Sequence, residues 1–74
     1  MPEITALAEY TLEDRHRRGE TQFTYAGHCG ISTEFLSLIE RGKANPSLGT
    51  IQKIAAYIGV PVSEMLEIPQ DAEA

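Results

Sequence analysis

Turn signals cut this chain into pieces too short for anything but small secondary-structure elements. Gly19, Gly30, the run Gly42-Lys43-Ala44-Asn45-Pro46 and Gly59-Val60-Pro61 are the punctuation. Between them apolar residues recur at steps of three and four, the spacing of one helix face, and no alternating run of useful length suggests a strand. The clearest case is Leu48, Ile51, Ile54, Ala55 and Ile58, preceded by Ser47 as an N-cap and closed by Gly59. Upstream, Thr21 is placed to cap a short helix over 22–28 carrying Tyr25, Ala26 and Cys29 on one side. Ser32 caps the next, over 33–41, with Phe35, Leu36 and Ile39 as its buried stripe and Gly42 as its stop. Ile4, Leu7, Ala8, Thr11 and Arg15 share one face of a first helix over 3–18, a stripe weakened by its two polar members. Val62, Met65 and Leu66 sit on a last turn over 62–67. The expectation is an all-α fold, a compact five-helix bundle forming one domain over 1–68, with an acidic, disordered tail over 69–74.

A chain of 74 residues buries only about 60% of its unfolded surface, so it needs dense apolar packing, a staple or a partner. The single cysteine, Cys29, rules out an intrachain disulfide and agrees with a reducing, cytoplasmic location. No apolar run approaches the ~18 residues of a membrane span, and Glu3 and Glu9 make the N-terminus a poor signal peptide. Cys29, His16 and His28 lack metal-ligand spacing, so neither a metal nor another cofactor is expected. Nor do they supply a nucleophile, a base and an orienting group, so an enzyme is not expected. Net charge is −5, yet all six basic residues lie between positions 15 and 53, where only Glu20, Glu34 and Glu40 oppose them. A basic middle between acidic ends fits either chance clustering on a solvated surface or a polyanionic partner.

The window from Gln22 to Arg41, QFTYAGHCGISTEFLSLIER, decides between these. Two short helices at a steep angle need a tight turn, which Gly30 supplies, and a small residue at their closest approach, which Ala26 supplies. Tyr25, Cys29, Ile31, Leu36 and Ile39 form an apolar seam between them. With Arg15, Gly19, Thr21-Gln22, Ile39-Glu40-Arg41-Gly42-Lys43, Asn45-Pro46-Ser47-Leu48 and Ile54-Ala55 through Ile58-Gly59-Val60, about residues 11–67 resemble the phage repressor and Cro-like helix-turn-helix family, also called the XRE family. The chain departs from that pattern at Thr11, Asp14, Glu20, Phe23 and Gly27.

The resemblance implies a lambda repressor-like helix-turn-helix fold that binds double-stranded DNA as a transcription regulator, and it implies a role for each matching position. Arg15 and Glu40 would form a largely buried structural ion pair. Thr21 and Gln22 at the start of the second helix, with Arg41, Lys43, Asn45 and Ser47 after the third, would face phosphates. Thr33, Glu34, Ser37 and Leu38 would meet base edges, although the set offers no arginine, asparagine or glutamine for bidentate readout. Arg17 and Arg18 are explained already by the dipole of the helix they end. Operators of such proteins are read by pairs of domains, so a homodimer is expected. Tyr57, Val60, Val62, Met65, Leu66 and Ile68 exceed what two short helices can bury on a core already holding Leu48, Ile51, Ile54 and Ile58, and they are the expected interface. A polymerase or other protein partner is the further expectation if the protein activates. The rival reading is a protein-interaction module that kept the fold and lost DNA binding, suggested by the net charge, Glu34 and Phe23.

Overall fold

Local sequence sets where each helix starts and stops. A computed structural model describes residues 2–66, as α1 (Pro2–Arg18), α2 (Gln22–Cys29), α3 (Thr33–Glu40), α4 (Leu48–Ile58) and α5 (Val62–Leu66), with no strand among the described residues. Hydroxyls begin the three middle helices by accepting an otherwise orphaned N–H. Thr21 takes that of Thr24 at 3.1 Å, Ser32 that of Phe35 at 3.0 Å and Ser47 that of Thr50 at 3.2 Å. Glycine ends α2: Gly30 has φ 77°, its N–H bonds the Gly27 carbonyl at 3.2 Å, and the Ile31 N–H reaches back to Ala26 at 3.0 Å. A side chain there would crowd its own backbone, so the turn between α2 and α3 depends on that residue. The same bond pair closes α3 around Gly42, from Gly42 to Ile39 and from Lys43 to Leu38. The helices begin and end within a residue of the expected bounds, with Arg41 capping α3 rather than belonging to it.

α1 lies across α3, α4 and α5, while α2 rests on α3 and α4. Tyr25, Leu36, Ile39, Ile54 and Met65 are completely or almost completely buried where these layers meet, ringed by Leu7, Ala26, Cys29, Ala44, Ile51 and Ala55. Each large apolar side chain so enclosed contributes about 1.5–3 kcal/mol. No helix among the described residues is long and apolar enough to cross a membrane.

The structure corrects the expected core at several places. Leu48 is 56% exposed, because it opens α4 and the helix meets the core only from Ile51 onward. Phe35, Ile31 and Ile58 are half-buried. Thr11 is wholly buried, its hydroxyl satisfied by the Leu7 carbonyl at 2.7 Å, so a residue that weakens the stripe on paper strengthens it in three dimensions. Met65 is also wholly buried and belongs to the core, not to an outer face: α5 folds back onto α1 and α4, and the flexible thioether fills the space between them. The side chain of Leu66, and Glu67, Ile68 and the tail over 69–74, lie outside the described residues.

Candidate nucleic-acid interface

Apolar residues on one side of α3 determine what the other side presents. Leu36 and Ile39 pin the helix to the core. Opposite them, Glu34 and Leu38 are exposed and Thr33 and Ser37 half-exposed, on the helix that follows the Gly30 turn. The Glu34 carboxylate has neither hydrogen bond nor ion pair among the described residues. Arg41, at the far end, turns its Nε back to the Ser37 carbonyl at 3.3 Å.

The Glu40 carboxylate joins three helices. It accepts from Arg15 Nε at 2.7 Å and Nη2 at 3.0 Å, a forked pair with the two side chains only 14% and 4% exposed. Its Oε1 also accepts from Gln22 Nε2 at 3.0 Å. Because a carboxylate can only accept, this contact fixes which end of the Gln22 amide faces inward. Arg15 Nη1 donates in addition to the Glu20 carbonyl at 3.0 Å, and the bond to Glu40 holds the guanidinium more firmly protonated than usual. Gln22 therefore stands at the start of α2 beside the capping Thr21, with one amide N–H committed to its own fold and the other without a partner among the described residues.

Asp14, one of the departures from the family pattern, is 2% exposed. It accepts from Tyr25 Oη at 2.8 Å, from Arg18 Nε at 2.7 Å and from Arg17 Nη2. Burial pushes its carboxyl pKa up, but the three hydrogen bonds outweigh burial and hold it below the usual value. Arg18 also covers the Tyr57 ring, 4.2 Å from its centroid, and donates to the Tyr57 carbonyl at 2.8 Å. The α1 arginines are thus tied to their own chain. In contrast, Arg41, Lys43 and Lys53 are exposed and make no ion pair among the described residues, and the neighbouring Asn45 and Ser47 stand exposed at the entry to α4.

A second polar cluster lies where α2 meets α4. Tyr57 Oη donates to Glu20 Oε2 at 2.8 Å, His28 Nδ1 lies 2.6 Å from Tyr57 Oη, and the Tyr57 ring meets Tyr25 edge-on at 5.1 Å. Tyr57 therefore turns toward its own chain, and with Met65 buried, Val60 and Val62, both half-buried, are what remains of the expected interface among the described residues. Cys29 is enclosed, and burial first, then the charges of Asp14 and Glu20, push its thiol pKa up to about 11. The sequence marks Asp14 and Glu20 as departures from the family pattern without revealing the partners that the fold brings to them.

A helix-turn-helix family model matches residues 25–65. The HTH-type transcriptional regulator DdrOP3 of Deinococcus deserti is 43% identical over 61 residues, which is 82% of this chain and 47% of that protein. The chain therefore spans about half the length of that relative. The crystal structure of the hypothetical transcription factor NHTF from Neisseria superposes with a TM-score of 0.75 at 30% identity, covering 95% of this chain and 79% of that one. The restriction-modification controller protein C.AhdI from Aeromonas hydrophila gives 0.74 at 26% identity, with 88% and 98% covered. The five-helix arrangement thus has known counterparts, and the chain is a member of the XRE-type helix-turn-helix family.

Proposed function

We propose that this protein is a DNA-binding transcription regulator that reads an operator of two half-sites as a homodimer. The observation that carries the reading is the solvent face of α3, fixed from behind by Leu36 and Ile39 and presenting Thr33, Glu34, Ser37 and Leu38. A recognition helix needs that combination of rigid back and open front to enter a major groove. Thr21 and Gln22 at the start of α2, and Arg41, Lys43, Asn45 and Ser47 before and at the start of α4, hold the phosphates on either side. Its relatives carry names of the same kind, among them a transcriptional regulator and a restriction-modification controller.

Dimerisation follows from affinity. Few open cations give one domain a weak hold, and a second copy about one DNA turn away, roughly 34–36 Å, supplies the rest. The surface offered for it is the α4–α5 corner at Val60 and Val62, where Ile58 and Val60 floor a cleft edged by Tyr10, Glu13 and Arg17. This leaves Thr33 and Ser37 of both copies uncovered. Selection of genomic fragments by the purified protein, at low and at physiological salt, tests the proposal together with sedimentation. The expected result is an enriched sequence with two-fold symmetry, bound by two copies. No enrichment at low salt by folded protein would favour the protein-interaction reading, to which the 77% exposed Phe23 on α2 would then belong.

A further inference from the structure

We propose that α3 selects cytosine through Glu34 and, through Leu38, a methyl group on C5 of that pyrimidine or of its neighbour. The proposal rests on the DNA-binding reading above and names the base chemistry that the site takes. Glu34 and Leu38 are four residues apart on one exposed helix face, so their side chains stand one above the other. The carboxylate is unengaged among the described residues and can only accept. In the major groove the amino groups of cytosine N4 and adenine N6 donate, whereas guanine O6, guanine N7 and thymine O4 all accept and repel it. Adenine sets an accepting N7 beside its amino group, which disfavours a carboxylate there too; cytosine sets only carbon beside N4. That carbon is C5, and a methyl on it lies next to the amino group, at the place where an apolar side chain beside Glu34 is useful.

Leu38 supplies that side chain: it is 37% exposed in a helix that otherwise buries its aliphatic residues. The half-exposed Thr33 and Ser37 on the same side are short and bring no competing bidentate donor. The C5-methyl has two sources, thymine at the adjoining step or 5-methylcytosine at the contacted base, and both present the same group to Leu38.

The experiment begins with in vitro selection on random duplexes using the whole protein, then repeats it with Glu34→Gln and Leu38→Ala. Wild type should fix one cytosine per half-site. Glu34→Gln should move that position to adenine by at least about tenfold, because an amide pairs with adenine N6 and N7. Binding to the selected duplex is then compared after thymine is replaced by uracil, and after the fixed cytosine is replaced by 5-methylcytosine. One of these changes should alter affinity about fourfold, the value of one buried methyl, the first as a loss and the second as a gain. Leu38→Ala should erase that difference. Selected sites without a fixed cytosine, or a cytosine unmoved by Glu34→Gln, would overturn the assignment while leaving DNA binding in place. A methyl effect that survives Leu38→Ala would overturn its second half. Failure of wild type to select any duplex would instead overturn the DNA-binding reading.

Discussion

The C-terminal turn of α1 and the stretch from the α3–α4 loop into α4 carry the same positive charge and use it differently. Arg15, Arg17 and Arg18 are each paired with a carboxylate of their own chain, on Glu40 or Asp14. Arg41, Lys43 and Lys53 pair with none among the described residues. Counting basic residues therefore overstates what is available to a polyanion, because half of the six are paired with carboxylates of their own chain. Charge bound to a buried carboxylate contributes to the fold, and charge left in water contributes to recognition.

The largest effect should come from breaking the first group at its centre. Glu40→Ala leaves Arg15 enclosed without a counter-charge and should cost about 3–5 kcal/mol in urea unfolding. That is a large share of the stability of so small a domain. Met65→Ala provides the apolar counterpart, with an expected cost of about 2–5 kcal/mol from the cavity left between α5 and α1. If Met65 were an interface residue, the loss would depend on protein concentration; the buried side chain predicts that it does not.

Asp14 offers a subtler break. Its folded pKa lies below its ordinary value of 3.8, so its contribution is fully present above that value and is lost as pH falls through the folded one. Acid titration of unfolding free energy should show this loss in wild type and a flatter profile in Asp14→Asn. The smallest effects belong to the cations themselves. Lys43→Ala should lower the salt slope of DNA binding by about 0.9 unit, the share of one phosphate contact. Arg17→Ala, already tied to Asp14, should leave the slope unchanged; an equal drop in both variants would erase the distinction between the two groups.

Most of the fold was legible because it rests on local chemistry. Thr21, Ser32 and Ser47 each stand one residue before a helix, Gly30 and Gly42 each stop one, and the α4 stripe repeats at three and four. What escaped were residues whose setting is made by distant parts of the chain. Asp14 reads as a surface acid until Tyr25, eleven positions away, closes over it. Met65 and Leu48 look alike as apolar residues near helix ends; only the fold-back of α5 and the projection of the first turn of α4 separate a core residue from an exposed one. The Gln22–Glu40 contact belongs to the same class, since hydrogen bonding across eighteen positions leaves no periodic trace.

The chain has three tyrosines and no tryptophan, and every phenol donates to a carboxylate on another segment: Tyr10 to Glu64, Tyr25 to Asp14 and Tyr57 to Glu20. A phenol becomes far more acidic when excited by light, and a carboxylate already at hydrogen-bond distance takes the proton and quenches emission. The folded protein should therefore be dim in the tyrosine band and brighten as each contact opens. The three contacts report on different junctions, α1 with α5, α1 with α2, and α4 with the α1–α2 link. Single Tyr→Phe variants would turn this arrangement into an optical readout of which junction of the bundle loosens first.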